Sequence, residues 1–250
     1  MLGLMQDWPL LVHKIIDHAA INHGDREVVS RSVEGPIHRT DYRQIAVRAQ
    51  GGRGAGPAGH PRGRPRRDAG LEHLAAHRDV VRHRRIGAVY HTLNPRLFPD
   101  QLVYIANHAE DKVLFFDITF ADLVAQLAPR LPGVEMYVAL TDAAHLAELA
   151  GKGIPNLVAY EEFIAGCSGD FAWKQIDERA ACGLCYTSGT TGNPKGVLYS
   201  HRSNVLHALM AAQADAQGLS ERDTVLPVVP MFHANAWALA FCAPMVGAKL

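Results

Sequence analysis

The chain has 250 residues, 48% of them hydrophobic and 20% charged, and its 25 basic residues balance 25 acidic ones. That length accommodates one large α/β domain or two small ones. Zero net charge argues against a dedicated nucleic-acid binder, and no apolar run reaches the roughly 18–20 residues that span a bilayer.

Reading in chain order, the opening MLGLMQDWPLLVHKIIDHAA lacks a basic n-region and a small-residue cleavage site, so no signal peptide is expected. Leu10, Leu11, Ile15, Ile16 and Ala19 recur at helical spacing and predict an amphipathic first helix. EVVS (27–30) and PIHR (36–39) read as strands with a turn at Gly35. Thr40 or Asp41 can cap a second helix through Tyr42, Ile45 and Val47, whose pattern stops at Gly51-Gly52. Beyond Ile86, GAVYHTL reads as strand and NPRLFP as turn, followed by a helix bearing Leu102, Ile105 and Ala106. Then come a strand KVLFFD, a helix at 119–129, a strand VEMYVAL, a short helix near 143–150 and a buried strand at 182–186. GVLYS is strand-like, and 202–217 reads as a helix with Val205, Leu206, Leu209 and Met210 on one face. TVLPVV reads as a strand, and FHANAWALAFCAPMVGAKL begins an apolar helix. Such alternation predicts a mostly parallel α/β sheet with flanking helices. The last segment has no cap or polar tail, so the chain is expected to be truncated at its C-terminus.

Four cysteines, Cys167, Cys182, Cys185 and Cys242, are too few for a disulfide framework and suggest a reducing, cytoplasmic setting. Cys182 and Cys185 spell CxxC, yet ACGLCY looks like a strand, on which positions i and i+3 point to opposite faces. No second Cys/His pair at zinc spacing accompanies them, and the 14 histidines are scattered without an HExxH, so no metal site is inferred.

The zero charge conceals an uneven distribution. Residues 51–85 hold nine arginines, no lysine and three acids (Asp68, Glu72, Asp79), a net of 9 − 3 = +6. The window also holds seven glycines and three prolines, and no Phe, Trp or Tyr.

The main chemical signal is Tyr186-Thr187-Ser188-Gly189-Thr190-Thr191-Gly192-Asn193-Pro194-Lys195-Gly196, between two strand-like runs. Glycines admit close approach of backbone N–H groups to an anion, hydroxyls add donors, and Lys195 supplies a point charge. Gly/Ser/Thr clusters also make ordinary surface turns, and the Walker A pattern fails at Pro194 and Gly196. The order of residues decides between them: YTSGTTGNPKGV resembles the phosphate-binding signature of the adenylate-forming superfamily. SHRS, PMFHANAW, GAVYHTLNPRLFPDQLVYIANHAEDK and IDHAAINHGDREVVSRSVEGPIHRTDY resemble its fatty-acyl-CoA ligase branch, near the 3-methylmercaptopropionyl-CoA and medium-chain acyl-CoA ligases. The similarity covers about 215 residues, all but 51–85.

The resemblance implies that a carboxylic acid attacks the α-phosphate of ATP to give acyl-adenylate, from which CoA displaces AMP. It implies that Thr187, Ser188, Gly189, Thr190, Thr191, Gly192 and Lys195 hold the β- and γ-phosphates with Mg²⁺, Thr190 contacting the metal weakly through them. His233 would lie beside the acyl and α-phosphate site as a catalytic residue with Lys195, while Met231, Phe232, His233, Ala236 and Trp237 shape the acyl pocket. Without the resemblance, His233 and Trp237 would read as core residues. The resemblance further implies a cytoplasmic enzyme, with a homodimer open for the intact form and no specific nucleic-acid partner. The family's YGxTE and TGD elements are absent, as is its C-terminal domain. The chain is therefore expected to be an incomplete N-terminal AMP-binding domain, inactive alone. The alternative is a non-catalytic fragment that binds phosphate weakly, or nucleic acid nonspecifically through the arginine-rich segment, with steep salt dependence.

The segment 51–85 reads as a nucleic-acid patch, a linker or an out-of-frame translation. It lacks aromatics for base stacking. Codons exist that encode 59–85 as written and, one base later, read GIRVGDRVATLAWNTWRHIEMWYGIAG, running into Ile86-Gly87-Ala88. Residues 51–58 can likewise give AVAALARL, continuing the helix broken at Gly51. The out-of-frame reading predicts disorder there and poor solubility, because a buried strand and its flanking helices are lost.

Overall fold

The structure is a computed structural model that describes residues 1–31, 37–49, 89–165, 176–187 and 192–250. The expectations for 51–85, the Gly35 turn and Cys167 lie outside the described residues, as do Ser188, Gly189, Thr190 and Thr191.

Helix α1 (His13–Asn22) buries Ile15, Ile16 and Ala19. Leu11, expected inside the helix, is buried just before it. The apolar stripe meets the hairpin β1 (Glu27–Arg31) and β2 (Ile37–Asp41), whose strands pair antiparallel. Asp41 then caps α2 (Tyr42–Ala49), its carboxylate accepting from the Gln44 N–H at 2.7 Å. Ile16, Ala19, Val28, Tyr42, Ile45 and Ala46 form one small core with Leu250 packed on it. The chain's end is tied to its beginning here: the Val29 N–H donates to the Leu250 carbonyl and the Tyr42 hydroxyl to that of Ala248.

The larger core surrounds β4 (Val113–Phe116), β5 (Met136–Ala139) and β6 (Leu157–Ala159), all parallel with β5 central. Val138 and Ala139 are wholly inaccessible, as a strand flanked on both sides requires. Helix α3 (Pro99–His108) opens with proline in its first turn, where a missing N–H costs nothing, and Gln101 accepts from the Phe98 N–H. Leu102 and Ala106 of α3 pack with Val124 and Leu127 of α4 (Ala121–Leu127) against this sheet. Asp142 caps the single turn α5 (Ala143–Leu146). Strand β6 and α6 (Tyr160–Ala165) were not anticipated. LVA is too short to show a period, and Gly151, Gly153 and Pro155 before it resemble plain loop.

A third sheet runs β3 (Tyr90–Thr92), β7 (Ala181–Thr187), β8 (Lys195–Ser200). The β3–β7 pair is parallel and β7–β8 antiparallel. Three of the five pairings are thus parallel and the α/β class holds, although the described strands form three sheets instead of one. Ser200 caps α7 (His201–Ala211), accepting from the Ser203 N–H at 3.0 Å.

Three expectations change in this half. Helix α7 ends at Ala211, and its buried face is Asn204, Val205, Ala208 and Ala211. Leu206, Leu209 and Met210 are exposed, because Asn204 is drawn inward to donate to the Cys182 sulfur. TVLPVV forms no named strand: Thr224 alone bridges to Lys249, Pro227 has no N–H to donate, and Leu226 and Val228 face outward. The apolar helix expected from Phe232 begins later, as α8 (Leu239–Val246). Residues 234–238 before it all have positive φ, from 45° to 65°, a left-handed turn. Among the described residues, no helix is long and apolar enough to cross a membrane.

Candidate active-site cleft

The loop 187–196 joins two strands in a hairpin, and its register sets the site. Thr187 stands opposite Lys195 and Tyr186 opposite Gly196. The Thr187 hydroxyl reaches the Lys195 carbonyl at 3.4 Å, closing the hairpin where the loop begins. Gly192 has φ +87° with nothing within 4 Å of a hypothetical Cβ, a backbone only glycine adopts freely. Pro194 is buried and anchors the loop's exit, whereas Lys195 is exposed. Gly183, deeper on β7, has Tyr90 ring atoms 2.4 Å from where its Cβ would be, so β3 and β7 close up only over glycine.

Beneath this hairpin lies a cleft of about 240 Å³. Thr187, Pro194, Val197 and Tyr199 come to it from the hairpin, Thr92 from the end of β3, Asn94 and Leu97 from the segment after it, and Phe232 and His233 from the other side. Of the expected site residues, the structure therefore brings Thr187, Phe232 and His233 together. Lys195 adjoins the cleft through Pro194. Met231 and Ala236 pack with Ala240 in a separate small core, and Trp237 is 55% exposed; none of the three lines the cleft. Thr92, Asn94, Leu97 and Tyr199 were not singled out as site residues. The signal for Thr92 and Asn94 lay in HTLNPRL, where polar residues sit at and just beyond a strand end.

His233 is exposed and immediately precedes the left-handed turn. Left-handed backbone costs a non-glycine residue about 1–2 kcal/mol, so five such residues together need support. Asn235 supplies part of it: buried to 4%, it accepts from the Cys185 thiol at 3.3 Å. Cys185 also contacts the Thr92 hydroxyl at 3.3 Å, so β3, β7 and the turn beside His233 are pinned together. Burial pushes the Cys185 thiol up, which keeps the proton it donates. Cys182, three residues earlier, accepts from Asn204 at 3.0 Å and sits in a different core with Val205 and Phe241. The two thiols diverge as strand neighbours at that spacing do, and neither is in a disulfide among the described residues. No group of His, Cys, Asp or Glu suited to a metal is present among the described residues.

An α/β domain with a cleft opening beside a glycine-rich loop and an exposed lysine fits a site for an anionic ligand. The chain belongs to the AMP-binding enzyme family, which matches residues 84–250. It is 45% identical over 254 residues to a medium-chain-fatty-acid–CoA ligase of Ectopseudomonas oleovorans, covering 100% of this chain and 45% of that protein. It is 47% identical over 258 residues to a 3-methylmercaptopropionyl-CoA ligase of Ruegeria pomeroyi, covering 99% and 46%. The chain thus spans about half the length of these relatives. Among solved structures, a long-chain-fatty-acid-CoA ligase from Archaeoglobus fulgidus shares the fold with a TM-score of 0.71 at 21% identity, over 100% of this chain and 48% of that one. The anthranilate CoA ligase AuaEII in complex with anthranoyl-AMP gives 0.70 at 22% identity, over 98% and 45%.

Proposed function

We propose that this chain carries the phosphate-binding and acyl-binding part of an ATP-dependent acid–CoA ligase, which joins a carboxylate to AMP and then passes the acyl group to CoA. The carrying observation is that one cleft is lined by Thr187 and Pro194 of the hairpin loop and by Phe232 and His233 of the PMFHANAW segment. A polyphosphate and a carboxylic acid can therefore lie side by side. An exposed lysine and an unobstructed left-handed glycine at the loop's exit fit a polyphosphate. In this reading the loop fixes the β- and γ-phosphates, Lys195 offsets the charge that builds up on pyrophosphate, and the Phe232 side of the cleft orients the carboxylate toward the α-phosphate. Positioning and charge stabilisation do the work, and no covalent step falls to the protein. Mg²⁺ enters with ATP, and Thr190 is the residue this reading assigns near it. The setting is cytoplasmic, and a homodimer of the intact enzyme is compatible with it.

Equilibrium binding of MgATP to the 250-residue chain tests the proposal: Lys195→Ala abolishes binding if it holds, and unchanged affinity refutes it. The chain alone is expected to form no acyl-CoA, for it lacks the YGxTE and TGD elements. Acyl-CoA production above background would contradict that expectation.

We also infer that 51–85 is translated out of frame. Support comes from the codon reading itself, whose shifted text continues the helix broken at Gly51 and rejoins the written sequence at Ile86. The coding DNA decides it: codons that cannot yield the shifted text refute the inference.

A further inference from the structure

We propose that Tyr186 is a positioning residue for the phosphate loop, clamped by His108 and by the His91–Asp111 pair; this rests on the nucleotide-binding reading above. The clamp starts at the end of α3. The Asp111 N–H donates to the Ala106 carbonyl and the Glu110 N–H to that of Asn107, the two bonds of a Schellman cap. The cap needs a left-handed residue after the helix, and Glu110 fills that place at φ 57° where glycine is usual. It presents His108 and Asp111 together at one end of the helix, facing β3 and β7.

Each grips a different part of Tyr186's surroundings. Both Asp111 carboxylate oxygens lie 2.9 Å from His91 Nδ1, in a pair whose side chains are only 6% and 15% exposed. His91 Nε2 is buried and has no hydrogen-bond partner among the described residues, so the carboxylate is the polar group that orients the ring there. That ring lies against Tyr186 with centroids 5.2 Å apart. His108, stacked on Tyr104, holds the Tyr186 hydroxyl through Nδ1 at 2.6 Å. Burial first, and then the Asp111 charge, push the Tyr186 phenol up, so it stays protonated and can donate a hydrogen bond to an unprotonated His108 Nδ1.

The other face of Tyr186 meets the loop. Its ring covers Gly196, where an added Cβ would lie 3.3 Å from Tyr186 Cζ. Gly196 follows Lys195 directly, and Tyr186 itself precedes Thr187 and lines the cleft. Tyr186 thus adjoins one end of the phosphate loop in sequence and lays its ring over the other at Gly196. A core aromatic would need neither the two histidines nor the carboxylate; phenylalanine would pack as well.

The test measures MgATP affinity and the nucleotide-free unfolding midpoint for the 250-residue chain and its Tyr186→Phe, His108→Ala and doubly substituted variants. Tyr186→Phe keeps the ring and removes only the hydroxyl. Each single change is expected to weaken MgATP binding by roughly 3- to 10-fold, the range for one lost hydrogen bond. The double variant should be no weaker than either single, since both remove the same bond. His108→Gln, whose amide oxygen can accept from the phenol, should recover most of the affinity. The nucleotide-free midpoint should move little. A lowered midpoint with unchanged affinity assigns these residues to stability alone and overturns the proposal. Binding that is lost in Lys195→Ala but unchanged in Tyr186→Phe and His108→Ala also overturns it, leaving the nucleotide reading intact. A chain that binds no MgATP overturns both.

Discussion

The two three-stranded sheets are built for different ends. In β4–β5–β6 the strands run parallel, three of the central strand's four residues are buried and helices cover the sheet with leucine, valine and alanine. In β3–β7–β8 the last strand is an edge, four of its six residues are exposed, and it pairs antiparallel after a glycine-rich loop. The first sheet concentrates packing and carries no cleft residue. The second leaves β8 largely exposed, with Lys195 at its start. Where a sheet is covered on both faces its residues are chosen by volume; where one edge stays open, they are free to be chosen by chemistry.

Substitutions can break or sharpen this contrast. The largest effect should come from Tyr137→Ala in β5, where a side chain only 1% exposed leaves a cavity. The expected loss is about 3–5 kcal/mol by denaturant titration, enough to unfold a marginal domain. A loss under about 1 kcal/mol would mean that β5 is not the centre of the core. Tyr137→Phe should be neutral or slightly stabilising, because the buried Tyr137 hydroxyl has no hydrogen-bond partner among the described residues.

Next comes Gly183→Ala, which drives a methyl into the Tyr90 ring. It should cost about 1–3 kcal/mol and disturb the cleft through the β3–β7 contact. Pairing it with Tyr90→Ala should restore some stability; two additive losses would show that the contact does not limit the site. Glu110→Gly acts in the opposite direction, relieving a left-handed residue at the end of α3. A gain of up to about 1 kcal/mol in stability is expected, read as a raised thermal midpoint.

The smallest effect concerns acid. Hydrogen bonds first from Lys249 and then from Arg39 hold Glu27 below the usual carboxylate range. The Leu10 N–H, then Arg202, do the same for Glu178. Both pKa values are lower folded than unfolded, so their stabilisation is present above the ordinary carboxylate pKa. It fades as pH falls through the depressed folded values. Stability should therefore decline between about pH 5 and pH 2, and Glu27→Gln should flatten part of that decline. Exposed pairs contribute little, so an unchanged acid limb in Glu27→Gln would locate the loss elsewhere.

Sequence reading served the two sheets unequally. VLFF and MYVA announce themselves as strands because β-branched and aromatic residues fill short runs between turn signals. Asp41 and Ser200 cap helices as their types suggest. The site's residue types were legible in YTSGTTGNPKGV and PMFHANAW. The contributions of Thr92 and Tyr199 to the cleft were not, because they depend on which strands become neighbours. Leu206, Leu209 and Met210 misled because an apolar side chain carries no label for its face, and Asn204, a polar residue, took the inner place to bond Cys182. The left-handed turn at 234–238 has no local signal, since alanine and tryptophan rarely adopt it; the Cys185–Asn235 contact that supports it joins residues 50 positions apart.

The central claim is that the open edge of the β3–β7–β8 sheet is a nucleotide-phosphate site. Calorimetric titration of the 250-residue chain with MgATP, beside Lys195→Ala, tests it most directly. The account predicts saturable binding by the wild-type chain and none by the variant, with equal unfolding midpoints because Lys195 is exposed. Equal affinity in the two proteins, or no binding by the folded wild-type chain, would contradict it.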